Sequence, residues 1–204
     1  MEKWPELRLY STYASTEMST TFTECDAQQG GHHHPELIIT EVLDDEGNPL
    51  PYGQLGELTI TTLGVEGMPL LRFRTGDIVA MHTEKCACGR ETPRVSPVLG
   101  RKQQMIKYKG TTLYPPALMD LLTNFEAVEN YIIEISTNNI LTDEILIRIG
   151  TRTPTEALKE QIVSHFRAKL RVVPKIEFCD IAILEKELYP LGSRKPMKFV
   201  DKRK

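Results

Sequence analysis

No stretch of this sequence approaches the roughly 20 consecutive apolar residues of a membrane-spanning helix, so no membrane partner is expected. Low-complexity tracts and clear internal repeats are missing, which sets the chain apart from disordered and fibrous proteins. An excess of one charge is missing too. The 25 Lys and Arg against 28 Asp and Glu leave a formal net charge of -3, and no nucleic-acid partner is expected on electrostatic grounds. A glycine-rich phosphate loop is absent, because Gly30-Gly31 is too short and wrongly placed for one. Residues 1–5, MEKWP, lack the basic-then-apolar layout of a signal peptide, so a cytoplasmic setting is expected, with the four cysteines reduced. What is present is a globular composition, 40% hydrophobic and 26% charged. Over 204 residues it can build one large domain or two small ones.

The first half reads as short strands with Gly/Pro turns: 7–10, 37–43, 57–63, 69–74 and 78–82. Residues 11–23, rich in Ser and Thr, read as a polar binding loop. After Gly100 the pattern changes. Leu118, Leu121 and Leu122 suggest a short helix over 115–123 that starts on prolines. Strands are expected at 131–135 and 144–149. Thr153-Pro154-Thr155-Glu156 reads as a capping box that opens a helix carrying Leu158, Ile162, Phe166 and Leu170. Residues 175–183 read as a further strand containing Cys179. The expected fold class is α+β: a small β-barrel-like subdomain over 1–99, then a compact α+β domain over 100–204 with helices on one face of a small sheet.

Four islands carry chemistry. Tyr13-Ala14-Ser15-Thr16-Glu17 offers a hydroxyl to a phosphate oxygen and a carboxylate to a hard cation, though such a pair also caps helices. Phe73-Arg74-Thr75-Gly76-Asp77 ends on an acid able to accept from vicinal hydroxyls, although Thr-Gly-Asp is equally a common turn. The segment from Gly100 to Gly110 spans the expected domain boundary, and a solvated basic hairpin would look the same. Near the end, Lys195 sits beside small residues and Pro196, as in a loop that carries a point charge to a phosphate or carboxylate. A solvated tail is the plainer reading there.

The cysteines form a separate pattern. Cys86-x-Cys88-Gly89 is a tight chelating pair, and Cys25 with His32 of the His32-His33-His34 cluster can complete a tetrahedral site for structural Zn²⁺. His82 is a nearby further candidate. Unrelated reduced thiols and exposed histidines are the competing reading.

Taken in order, the islands resemble the adenylate-forming superfamily of acyl-CoA synthetases, aryl ligases and adenylation domains, and most of all the phenylacetate–CoA ligase family. The similar features are YASTE at 13–17, Cys25, MPLLRFRTGD at 68–77, CACGR at 86–90, the GRxxxM hinge at 100–105 and KxxKxVDKR at 195–203. The resemblance implies that Tyr13 stacks on adenine, Thr16 bonds the AMP phosphate and Glu17 holds Mg²⁺. It implies that Asp77 holds the ribose hydroxyls with Arg101 nearby, and that Lys195 is the catalytic lysine of acyl-AMP formation. Gln103 falls at the hinge, and Lys109-Gly110 on the CoA side after the lid turns. ATP, Mg²⁺, coenzyme A and an aryl acid are the implied ligands. Two departures stand out: the hinge carries Gln103 where the family has Asp or Lys, and Arg194 replaces the glycine before the lysine. The family's chains are considerably longer. This sequence is therefore expected to be the C-terminal part of such a ligase, inactive without the N-terminal part, with a homodimer left open. The rival readings are a non-catalytic nucleotide-binding or interaction module and a zinc-stabilised remnant of a ligase.

Overall fold

The computed structural model describes residues 6–138 and 143–203, so the MEKWP segment lies outside the described residues. The chain is α+β and divides into two compact units, Met1–Gln103 and Gln104–Lys204. Among the described residues no helix is long and apolar enough to cross a membrane.

Among the described residues the first unit holds nine strands: β1 Thr12–Ala14, β2 Thr21–Thr23, β3 Gly31–His32, β4 Ile38–Leu43, β5 Gly56–Thr62, β6 Phe73–Val79, β7 Met81–His82, β8 Arg94–Val95 and β9 Gly100–Arg101. They form two antiparallel sheets, β1-β2-β3-β8-β7 and β4-β5-β6-β9. Among the described residues these sheets are open, so the barrel-like region is a pair of sheets around a shared core. Ile38, Val42, Leu58, Ile60 and Val79 supply that core from the longer sheet, and Phe22, Met81 and Val95 supply it from the shorter one. Gly31 is required by closeness. A Cβ there would lie 2.5 Å from the carbonyl carbon of Phe22, far inside contact distance.

Three expectations shift in this unit. Residues 7–10 form no strand, whereas the Ser/Thr-rich stretch contains the β1–β2 hairpin. The hairpin is ordered by Tyr13 opposite Phe22 in the ladder, their rings stacked with centroids 5.8 Å apart. Composition alone hides that cross-strand pair. The strands expected at 69–74 and 78–82 are instead one strand over 73–79, followed by the two-residue β7.

The second unit opens with a hairpin, β10 Ile106–Tyr108 and β11 Thr111–Leu113, and continues with α1 Pro115–Leu122, β12 Asn130–Thr137, β13 Asp143–Gly150, α2 Glu156–Leu170, β14 Lys175–Cys179, α3 Ile181–Leu188 and β15 Phe199–Asp201. The sheet order is β14-β13-β12-β15. The β12–β13 pair is antiparallel and both outer pairs are parallel. Strand alternation sorts the core. Tyr131, Ile133 and Ile135 pack with Leu118 and Leu122 of α1 and Ile162 and Phe166 of α2. Ile132 points the other way and packs with Leu184 and Leu188 of α3. The helices expected on one face thus gain a third on the opposite face. That helix lies where a continuous strand to residue 183 was expected. The strand stops at Cys179, and the Asp180 carboxylate accepts from the Ala182 and Ile183 amides, starting a helix. The run Ile-Ala-Ile-Leu satisfies either period, so the cap decides. The α2 cap is Thr155, which accepts from the Leu158 amide, and not Thr153; Pro154 precedes the helix instead of opening it. Cys179 is half-buried beside the α3 cluster.

Candidate functional site

In the first unit three of the singled-out residues meet. The β1–β2 hairpin presents a half-buried Tyr13 whose hydroxyl donates to Asp77 Oδ2 at 2.7 Å. Asp77 lies on β6 directly opposite Arg101 of β9, and the Arg101 Nε is 3.3 Å from Asp77 Oδ1. The carboxylate is 11% exposed and the guanidinium 67%, so the arginine is a solvated arm over a buried acid and adds little stability by itself. Thr75 completes the turn. Its hydroxyl donates to the Leu58 carbonyl and accepts from the Asp77 amide, which fixes the acid's backbone. Burial first, and the bond to Asp77 second, push the Tyr13 phenol well above its ordinary value, so it remains a donor. A cavity of ≈ 320 Å³ opens against Tyr13, lined also by Ser11, Phe22, Glu24, Gly31 and Val95.

Thr16 and Glu17 occupy the turn between β1 and β2, with Thr16 exposed and Glu17 half-buried. The Glu17 carboxyl is held below the usual carboxylate range by its own backbone N–H and then by the Ser15 hydroxyl. An ionised carboxylate on a solvent-facing turn suits a hard cation.

Cys25, His32, Cys86 and Cys88 come together, their ligand atoms all within 4.8 Å of one another. Cys25 Sγ and Cys86 Sγ are 3.5 Å apart, as are Cys88 Sγ and His32 Nε2. Burial, followed by the charges of Arg90 and Arg94, lowers the His32 pKa and favours the neutral ring. The Cys86 thiol is lowered, chiefly by the Cys88 amide. At Cys25 the Ala27 amide pulls down, but burial and the two neighbouring sulfurs outweigh it and leave the thiol raised. The other histidines are engaged elsewhere. His33 Nε2 contacts the Ile38 carbonyl, His34 pairs with Glu36, and His82 lies 3.9 Å from Glu84.

In the second unit Lys109 and Gly110 form the two-residue turn of the β10–β11 hairpin, with φ of 45° and 82°. Both positive angles mark a primed turn, which explains the glycine. An added Cβ would meet nothing within 4 Å, so backbone conformation, not crowding within this chain, demands it. Gln103 is exposed in a 3₁₀ turn, Lys102–Gln104. Lys195 is exposed on the loop between α3 and β15, where the Ser193 hydroxyl donates to the Lys195 carbonyl and accepts from its amide. Among the described residues its ammonium makes no ion pair.

Sequence reasoning missed Thr92 and Glu57 and gave Thr75 no role of its own. Thr92 contacts His32 Nδ1 at 3.0 Å. Buried Glu57 receives Arg74 at 2.6 Å and Lys102 at 3.3 Å, anchoring the start of the 3₁₀ turn. The Thr-Pro dipeptide after CACGR was the available hint for Thr92; nothing local marks Glu57.

No protein-family model matches the chain. It is 36% identical over 149 residues to the phenylacetate–coenzyme A ligase of Thermus thermophilus, a match covering 69% of this chain and 33% of that protein. The ligase of the same name from Aromatoleum evansii is 26% identical over 165 residues, covering 76% and 36%. Among solved structures, a 2-hydroxyisobutyryl-CoA ligase in the postadenylation state with 2-HIB-AMP superposes with a TM-score of 0.76 at 22% identity, over 98% of this chain and 44% of that one. The chain spans about a third of the length of these named relatives.

Proposed function

Because the chain is related to the phenylacetate–CoA ligases and spans about a third of their length, we propose that it is the C-terminal part of an ATP-dependent acid–CoA ligase of that type. Residues 1–99 belong to the large nucleotide-facing domain and 100–204 to the mobile lid. The acid is an aryl acid such as phenylacetate, and a cytoplasmic setting suits the free thiols. The observation that carries the reading is the convergence of Tyr13, Asp77 and Arg101, three positions picked out by resemblance and far apart in sequence.

In this reading the carboxylate substrate attacks the α-phosphorus of ATP, releasing pyrophosphate and leaving an acyl-AMP; the CoA thiol then attacks its acyl carbon, forming the thioester and releasing AMP. Tyr13 presents its ring to the adenine, and the cavity beside it is at the small end of ligand sites. Asp77, held by its Tyr13 and Thr75 bonds, accepts from the ribose hydroxyls while Arg101 flanks them. Thr16 donates to the phosphate. Glu17 would hold Mg²⁺, which when bound would neutralise charge on the phosphates. Lys195 stabilises charge at the bridging oxygens as the bond breaks, a task for a point charge on a mobile loop. Rotation about Gln103 then exchanges Lys195 for the Lys109-Gly110 turn on the CoA side.

The test is ATP–pyrophosphate exchange driven by phenylacetate. The chain alone should give none; mixed with the N-terminal portion of a related ligase it should give exchange that Lys195→Ala abolishes. Exchange by the chain alone would refute the requirement for a complementing part. Complementation indifferent to Lys195→Ala would favour a zinc-stabilised remnant whose catalytic motifs have decayed.

A further inference from the structure

We propose that Cys25, His32, Cys86 and Cys88 form a closed structural zinc site that clamps the Tyr13 hairpin to the β7–β8 connection. The inference stands on this cluster alone and does not depend on the ligase reading.

The geometry carries it. With Zn–S near 2.3 Å and Zn–N near 2.0–2.1 Å, a tetrahedral site has S···S edges of about 3.8 Å and S···N edges of about 3.6 Å. The two 3.5 Å separations agree to within a few tenths of an ångström. All four donor atoms already fall within 4.8 Å of one another, so no backbone movement is needed to enclose an ion. Three sulfurs and one imidazole select a soft or borderline cation and exclude Mg²⁺ and Ca²⁺. Four protein ligands leave no open position, which makes the site structural and not catalytic.

The surroundings are built for the same end. Cys86-Ala87-Cys88-Gly89 folds into a tight knuckle. The Gly89 amide donates to the Cys86 carbonyl at 2.9 Å, the Cys86 amide donates to the Arg90 carbonyl at 3.1 Å, and Gly89 takes φ +90°. That turn aims two sulfurs to one side. His32 Nδ1 is occupied by Thr92 Oγ1, which orients the ring and leaves Nε2 for the ion, the usual outer-shell arrangement of a ligating histidine.

The sheet explains why a clamp is useful. The five strands β1, β2, β3, β8 and β7 are only two or three residues long, and β3 pairs with β2 through a single partner pair, Thr23 with His32. So short a ladder holds few hydrogen bonds. The ligands arrive from just beyond β2, from β3 itself and from the β7–β8 connection, so one ion cross-links all three segments. Tyr13, on the partner strand of β2, is positioned through that link.

The purified chain should contain one equivalent of zinc by elemental mass spectrometry. Replacement by Co²⁺ should give thiolate charge-transfer bands and the intense visible bands of a tetrahedral field. Cys88→Ser is the informative variant, because Cys88 is exposed and its replacement disturbs no core. It should lose most of the bound metal and lower the melting temperature, while Cys179→Ser keeps a full equivalent. Zinc well below one equivalent after reduction and reloading would overturn the proposal. So would an octahedral Co²⁺ spectrum, or a Cys25–Cys86 disulfide in the protein as isolated, seen as a mass lower by two hydrogens.

Discussion

The Tyr13 hydroxyl and the Asp77 carboxylate, 64 residues apart in sequence, meet at 2.7 Å and join the β1–β2 hairpin to β6. Removing the donor leaves a nearly buried carboxylate oxygen short of a partner. Tyr13→Phe should cost about 1–3 kcal/mol in urea denaturation. Asp77→Asn should cost a similar amount, and the double variant little more than either single one. Strict additivity would show that the two groups are not coupled.

The same contact predicts an alkaline signature. Burial, then the bond to Asp77, raises the folded-state pKa of Tyr13 above its reference value of 10.0. Its contribution is therefore complete below pH 10 and is lost as pH rises from there toward the folded value. The urea midpoint of the wild-type chain should fall more steeply above pH 10 than that of Tyr13→Phe. Parallel alkaline limbs would count against the assignment.

At the start of α2, Thr155→Ala removes the acceptor of the Leu158 amide and should destabilise by about 0.5–2 kcal/mol. Thr153→Ala should cost less, since that hydroxyl makes only a 3.5 Å contact with Thr151. Thermal denaturation of the two variants separates them, and the reverse ranking would move the cap back to Thr153.

The primed turn makes Gly110 sensitive. Gly110→Ala should lose about 1–2 kcal/mol through left-handed strain alone, and Gly110→Asn less. Chemical denaturation of the set is sufficient; equal losses for Ala and Asn would point to crowding instead.

Acid should unsettle the second unit through Glu187. Its carboxyl is lowered from 4.5, first by the hydrogen bond from Arg148, whose Nη2 donates to Oε1 at 2.8 Å. A depressed carboxylate contributes stability above its unfolded value and loses it as pH falls through the folded one. Glu187→Gln should therefore flatten the stability loss below pH 4.5, read as melting temperature against pH. An unchanged acid limb would exclude the pair as a contributor.

Legibility in the sequence followed the physical range of the signal. Helix α2 and the β12–β13 pair were readable because Leu158, Ile162 and Phe166, and the alternating isoleucines, repeat a period over many residues. The two-residue strands β3, β7 and β8 carry no period, and only their partners across the sheet make them strands. At 175–183 two periods competed, and Asp180 settled the matter through its side-chain bonds. The Cys25, His32, Cys86 and Cys88 cluster was readable because Cys and His announce their chemistry by type. Thr92 and Thr75 were not, since a hydroxyl gains its role only from what folds against it.

Gly31 has a consequence for anyone recoding this chain. Its missing side chain leaves room only for the backbone of Phe22, whose ring stacks between those of Tyr13 and His33. A library that varies the aromatic pocket and the cysteine cluster as independent modules must therefore hold position 31 constant. The two regions share that one hydrogen atom's width of space, and a mutation there would be scored as damage to both.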